Sequence, residues 1–225
     1  MSEKNISLNS VNIHENIWKV TYDMTTGRIM MNVLPKEKIT PEEYLAMERE
    51  APYKSEYFNG KMFAMAGASR RHNLIALNTA SELRGQLKKT PCEVYVSDMR
   101  IKVSHTELYT YPDVTVVCGK PQFDDRYSDT LLNPLLIVEV LSKSTASYDR
   151  GAKFEQYRTL ASLHDYLLIS QDRCHAEHYV RQSGNTWLLS EYRDLEDVIL
   201  LESIGCEIKL REIYDRVSLL HLEAD

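Results

Sequence analysis

Asp113 and Glu139 are two carboxylates set into apolar surroundings, and such a pair repels unless a cation joins it. Asp113 follows Pro112 just before "VTVV", and Glu139 stands 26 residues later, in the middle of "PLLIVEVLS". A buried carboxylate costs several kcal/mol unless something compensates it. If neighbouring strands bring the two to one end of a sheet, a divalent cation resolves their repulsion. Two oxygen ligands, water in the open positions and a nearby phosphate make a common magnesium site. Residue types alone leave a second reading open, in which Glu139 pairs with a core-facing arginine or lies at a sheet edge.

Lys153 adds to this pair. In a helix over roughly Tyr148 to Leu163, Phe154, Tyr157, Leu160 and Ala161 define the inward stripe. Lys153 falls inside that stripe, one turn after Asp149 and one turn before Tyr157. An isolated lysine there snorkels along apolar surface. Close to two carboxylates and a phosphate it could orient or deprotonate an attacking water, or stabilise developing charge.

These residues need elements to hold them. "ITPEEYLAMERE" opens a helix, with Thr40 as cap, Pro41 in the first turn and Glu43 completing a capping box. "YKSEYFNGKMFAMAG" reads as a hairpin across Asn59-Gly60. "SRRHNLIALNTASELRGQLKK" is a helix capped by Ser69, with His72, Ala76, Ala80, Leu83 and Leu87 along one stripe. Strands are expected over "EVYVSDMRIKV", "LYTYPDVTVVC", "PLLIVEVLS" and "DYLLIS", the last pairing in parallel with its predecessor through the helical crossover. "HAEHYVRQ" and "TWLLSEYRD" form a further hairpin, and "LREIYDRVSLL" a terminal helix. The class is α/β (α+β): a mixed sheet of five or more strands flanked by helices. Residues 1–38 read as a flexible or β-like extension ahead of one domain over 39–225.

The chain has 225 residues, 43% hydrophobic and 27% charged, as in a globular protein. No apolar run reaches the length of a membrane span, and the N-terminus lacks the pattern of a secretory signal, so the default compartment is the cytoplasm. The net charge of −6 argues against a surface coated for nucleic acid, but the charge is uneven. Residues 61–102 carry eight basic against three acidic residues, and 185–225 carry four against ten. Four scattered cysteines, Cys92, Cys118, Cys174 and Cys206, have no zinc spacing and are expected as reduced, buried thiols. "CHAEH" splits its ligands between the two faces of a strand, which disfavours zinc. No P-loop, dinucleotide fingerprint or nucleophile elbow is present, so no nucleotide cofactor or serine nucleophile is indicated.

"YPDVTVV", followed by "PLLIVEVLSKSTASYDRGAKFEQYRTL", resembles the Uma2 family (DUF820) of restriction-endonuclease-like proteins. "EYFNGKMFAMAGASRRHN" matches the opening of that family, and the likeness runs over roughly residues 40 to 215. It implies the PD-(D/E)XK fold and a divalent metal, Mg²⁺ or Mn²⁺, for phosphodiester cleavage. Carried over, Asp113 is the aspartate of the P-D pair and Glu139 the acidic residue of the next strand, and both are metal ligands. The family lysine two residues later is replaced by Leu141. In proteins that this one resembles, a lysine from the next helix takes that role, and Lys153 occupies its place. Lys143 lies beyond the apolar run and faces solvent. Glu56 resembles the extra acidic residue of this fold, and His72 the family histidine. Asp98, Asp149 and Tyr157 are candidates for the outer shell.

The resulting expectation is an endonuclease acting through a metal-activated water, with Asp113, Glu139 and Lys153 as catalytic residues. DNA is the expected partner by family analogy, guided by Arg70, Arg71, Lys88 and Lys89, and a homodimer would suit cutting of both strands. The alternative is a non-catalytic nucleic-acid-binding or protein-interaction module with a vestigial site.

Overall fold

The structure is a computed structural model, which describes residues 5–13, 16–23, 28–34 and 38–219. The expected extension over 1–38 therefore lies partly outside the described residues. Within it, β1 (Asn5–Ile13), β2 (Asn16–Asp23) and β3 (Arg28–Leu34) pair as an antiparallel sheet.

Helix α1 (Pro41–Glu50) starts as its residues dictate, because the Thr40 side chain accepts from Glu43 N at 3.2 Å and Glu43 accepts from Thr40 N at 2.8 Å. Strands β4 (Ser55–Phe58) and β5 (Lys61–Ala64) turn at Asn59 and Gly60, both at positive φ. Helix α2 (Arg70–Leu87) buries Ile75, Ala76, Thr79, Ala80, Leu83 and Leu87, the expected stripe widened by one row.

The next two expected strands are each broken in two. "EVYVSDMRIKV" becomes β6 (Cys92–Val96) and β7 (Arg100–Val103), and "LYTYPDVTVVC" becomes β8 (Leu108–Thr110) and β9 (Val114–Cys118). The turn at Ser97–Asp98 and the Pro112 step separate them, since proline donates nothing to a ladder. Each half joins a different sheet. With β10 (Thr130–Leu131), β7 and β8 build a five-stranded sheet in the order β10-β7-β8-β4-β5.

Strand β11 (Leu136–Leu141) lies in a six-stranded sheet. The crossover after it is helical over Ala146–Tyr148 (α3), turns π-helical over Asp149–Lys153 and returns to α over Phe154–Tyr157 (α4). It is shorter than the expected helix to Leu163. Strand β12 (Asp165–Ser170) pairs parallel to β11, as expected, and β13 (Ala176–Arg181) and β14 (Trp187–Tyr192) form the hairpin. The order is β14-β13-β12-β11-β9-β6. Strands β15 (Val198–Leu201) and β16 (Cys206–Lys209) follow, and the terminal helix shrinks to α5 (Leu210–Ile213). The class is mixed α+β, with few helices flanking mixed sheets.

Alternation along β11 sorts its side chains between two cores. Leu136, Val138 and Val140 pack with Val114, Val116, Leu167 and Ile169 beneath α2, α5 and the β15–β16 hairpin. Ile137 and Leu141 pack on the other face with Tyr166, Leu168, the β7–β8 residues Ile101, Val103 and Leu108, and the helical residues Phe154 and Tyr157. Glu139 has the parity of this second set.

The cysteine expectation is half corrected. Cys92 and Cys118 are direct partners in the β6–β9 ladder and form a disulfide, while Cys174 and Cys206 are free. Ladder register brings the pair together from 26 residues apart, and no spacing motif encodes register. Among the described residues no helix is long and apolar enough to cross a membrane.

Candidate active site

The last registered pair of β9 and β11 is Val114 with Val138, and one residue beyond it stand Asp113 and Glu139. The strands part there, and Asp113 Oδ2 accepts from Val140 N at 2.7 Å, so the carboxylate caps the opened ladder. His72, in the first turn of α2, brings Nε2 to 3.2 Å from the same Oδ2. Both carboxylates line a cleft of about 740 Å³ at this end of the sheet.

Glu139 is 5% exposed. Its Oε1 accepts from Tyr157 Oη at 2.8 Å and pairs with Lys153 Nζ at 2.9 Å. Lys153, also 5% exposed, reaches Glu56 Oε1 at 3.2 Å and Asp149 Oδ1 at 3.6 Å. Glu56 comes from β4 in the five-stranded sheet, where the Thr110 hydroxyl also donates to it. One ammonium thus gathers three carboxylates from two sheets and a helix. The π-helical turn sets this aim, because Asp149 and Lys153 bracket it and both are buried.

The charges are unequal. Burial pushes the Glu139 carboxyl up to about 8, against the pull of Lys153 and with a further push from Asp149 and Asp113. Asp149 is raised too, chiefly by burial. Burial works against charge on Lys153, but Glu139, Glu56 and Asp149 hold it well above its ordinary value. Lys153 alone therefore leaves an excess of carboxylates over cations, which protons offset while no further cation is present.

A divalent cation fits that excess. Among the described residues Glu139 Oε2 and Asp113 Oδ1 take no hydrogen bond, so each carboxylate keeps one oxygen free beside the cleft. These are hard donors, and a magnesium-type ion commonly takes one or two carboxylates and completes its shell with water or phosphate. No group of three or more His, Cys, Asp or Glu among the described residues is set to hold an ion by protein atoms alone.

The sequence-derived residues Asp113, Glu139, Lys153, Glu56 and His72 thus meet at one cleft, with Asp149 lining it and Tyr157 bonded to Glu139. Asp98 does not join them. It is exposed and pairs with Lys54 Nζ at 3.0 Å. His175 and His178 bond to separate carboxylates, Glu191 at 3.0 Å and Asp165 at 2.6 Å. Of the four basic residues expected to guide a ligand, Arg70 and Arg71 open α2 at the cleft. Lys88 and Lys89 follow its far end, about 27 Å away for eighteen residues. Lys54, Tyr148 and Gln171 line the cleft without having been singled out. A signal existed only for Gln171, which directly follows the carboxyl end of a strand parallel to β11, where α/β sheets present their ligand sites.

Comparison with known proteins decides the family. The Uma2 family model, described as "Putative restriction endonuclease", matches residues 41–211. The chain belongs to the Uma2 family. Two Synechocystis sp. relatives share most of its length, both described as uncharacterized. One, sll1609, is 41% identical over 162 residues, covering 72% of this chain and 92% of that protein. The other, slr1290, is 38% identical over 180 residues, covering 80% and 93%. Among solved structures, a "putative nuclease belonging to DUF820" from Anabaena variabilis superposes with a TM-score of 0.65 at 16% identity. It covers 80% of this chain and 99% of its own, a likeness of fold. Family and fold together make this Uma2 protein a restriction-endonuclease-like, nuclease-type protein.

Proposed function

We propose that this Uma2 protein is an endonuclease that hydrolyses phosphodiester bonds, with DNA as substrate and Mg²⁺ or Mn²⁺ held by Asp113 and Glu139. The observation that carries the reading is the free oxygen each carboxylate keeps beside the cleft, with the Lys153 ammonium behind them. A bound dication would supply Lewis-acid polarisation of the phosphate and a lowered pKa for water.

The protein's own groups do the rest. Asp113 is fixed by Val140 N and His72, and Glu139 by Tyr157 and Lys153, so neither has to reorganise when substrate arrives. Lys153 offers a positive charge where negative charge grows on the phosphorus oxygens, and Glu56 and Asp149 keep that ammonium charged and aimed. His72 holds Asp113 and stands at the cleft wall. Two copies acting on opposite strands would account for a double-strand cut.

The test is nicking of supercoiled plasmid by purified protein with Mg²⁺ or Mn²⁺, beside Glu139→Ala and Lys153→Ala. Metal-dependent cutting, lost by at least about a hundredfold in both variants, is the expected outcome. Cutting that persists in Glu139→Ala would remove the site assignment. Absence of cutting on duplex, single strands and RNA would favour the binding module.

A further inference from the structure

Helix α2 begins at the cleft with charges of the wrong sign for its own dipole. Its first turn holds Arg70, Arg71 and His72 and no acidic residue, whereas helix starts favour negative groups. The N–H groups of Arg70 and Arg71 have no acceptor in the helix ladder. A basic helix start alone is an electrostatic tendency. The neighbouring Gln171 turns it into a place for a ligand.

Gln171 is 8% exposed and lines the cleft. Ser69 Oγ accepts from His72 N at 3.1 Å and donates its own proton to Gln171 Oε1 at 2.5 Å. That bond uses the acceptor of the amide. Among the described residues Nε2 has no partner, so a buried side chain presents an unused N–H₂ donor. Next to it, Asp172 holds Arg71 at 3.5 Å, which ties the helix start to the segment after β12. His72 places this corner directly against Asp113.

We propose that Gln171 is a phosphate-anchoring residue: its N–H₂ and the start of α2 grip the nucleic-acid phosphate adjacent to the one being hydrolysed. This rests on the nuclease reading and adds the element that sets the substrate's register along the cleft. Gln171 takes no part in bond breaking. The chemical class it recognises is a tetrahedral oxyanion with several acceptor oxygens.

Gln171→Glu separates this role from a structural one. A carboxylate still accepts from Ser69, so the helix cap survives, but the donor becomes a negative acceptor facing the phosphate. The side-chain amide signal of Gln171, identified by its loss in that variant, is followed by ¹⁵N–¹H NMR during titration with a short duplex and, separately, with inorganic phosphate. Plasmid cutting is assayed on the same preparations. The proposal expects both ligands to move the wild-type signal. It also expects Gln171→Glu to bind duplex at least about tenfold more weakly with an unchanged far-UV circular dichroism spectrum. In cutting, KM should rise while kcat stays near wild type.

An amide signal that ignores both ligands overturns the proposal, whether or not the protein cuts DNA. A signal moved by phosphate alone overturns the assignment to a nucleic-acid backbone. A signal moved by both ligands in a protein that cuts nothing upholds the phosphate anchor while the nuclease reading falls. Duplex binding of Gln171→Glu equal to wild type overturns it as well.

Discussion

Holding Glu139 in the second core keeps its carboxyl up near 8, and this fixes how the metal-free protein responds to pH. The unfolded chain releases that proton near 4.5, so between about 4.5 and about 8 the folded state binds more protons than the unfolded one. Stability from this group is complete below that window and is lost as pH rises through it. Melts of the metal-free protein should show that decline, and Glu139→Gln, which needs no ionisation, should flatten it and be the more stable form at pH 8. The same variant should lose cutting. If Mn²⁺ is held by the ionised carboxylate, adding it at pH 8 should raise the melting temperature of wild type and leave Glu139→Gln unmoved. Equal slopes in the two proteins would mean that Glu139 is not the titrating group. At this scale the sequence was informative: an acid inside an apolar strand and a lysine inside an apolar helical stripe are violations of local pattern, and both converge on the cleft. Lys54 violates no pattern, and Gln171 carries only the weaker signal of its place after a parallel strand.

Helical periodicity placed Lys153 on the inward face, yet the crossover achieves this with a π turn and ends by Tyr157. Gly151 sits in the π turn, exposed, with nothing within 4 Å of where a Cβ would lie. Gly151→Ala should therefore stabilise the protein by about 0.5–1 kcal/mol through reduced freedom of the unfolded chain, with cutting unchanged. A destabilised variant, measured by urea melts, would show that the π turn needs glycine. The elements that periodicity misjudged share a cause. Short strands that switch sheets at Ser97–Asp98 and at Pro112 read as continuous apolar runs, because alternation records burial and not which sheet does the burying. Strand pairing also set the fate of Cys92 and Cys118. Denatured, unreduced protein should give two titratable thiols, and four after reduction. The 26-residue spacing makes the bridge worth about 3.5 kcal/mol in the chain-entropy account, so Cys92→Ser should lower stability by that order. Four thiols without reduction would refute the bridge.

Across the whole molecule, the six-stranded sheet separates two cores, and the site lies where the strands β9 and β11 diverge between them. The fold class and the parallel β11–β12 pair followed from the alternation of strands and crossover. The order of the sheets did not, since it depends on which edges close over which core. The side chains at the cleft come from residues 56, 72, 113, 139, 149, 153 and 171, on both sheets, on α2 and on the crossover. No stretch of chain carries the site by itself. During synthesis every partial chain that ends before residue 171 lacks part of it, so the cleft is complete only after about three-quarters of the chain has been made. Long-range pairings of this kind also make closure slow. The practical sign is cooperativity: in a urea titration, cutting and the far-UV circular dichroism should vanish at one midpoint. Loss of cutting at a lower concentration would mean that the cleft opens while the sheets stand.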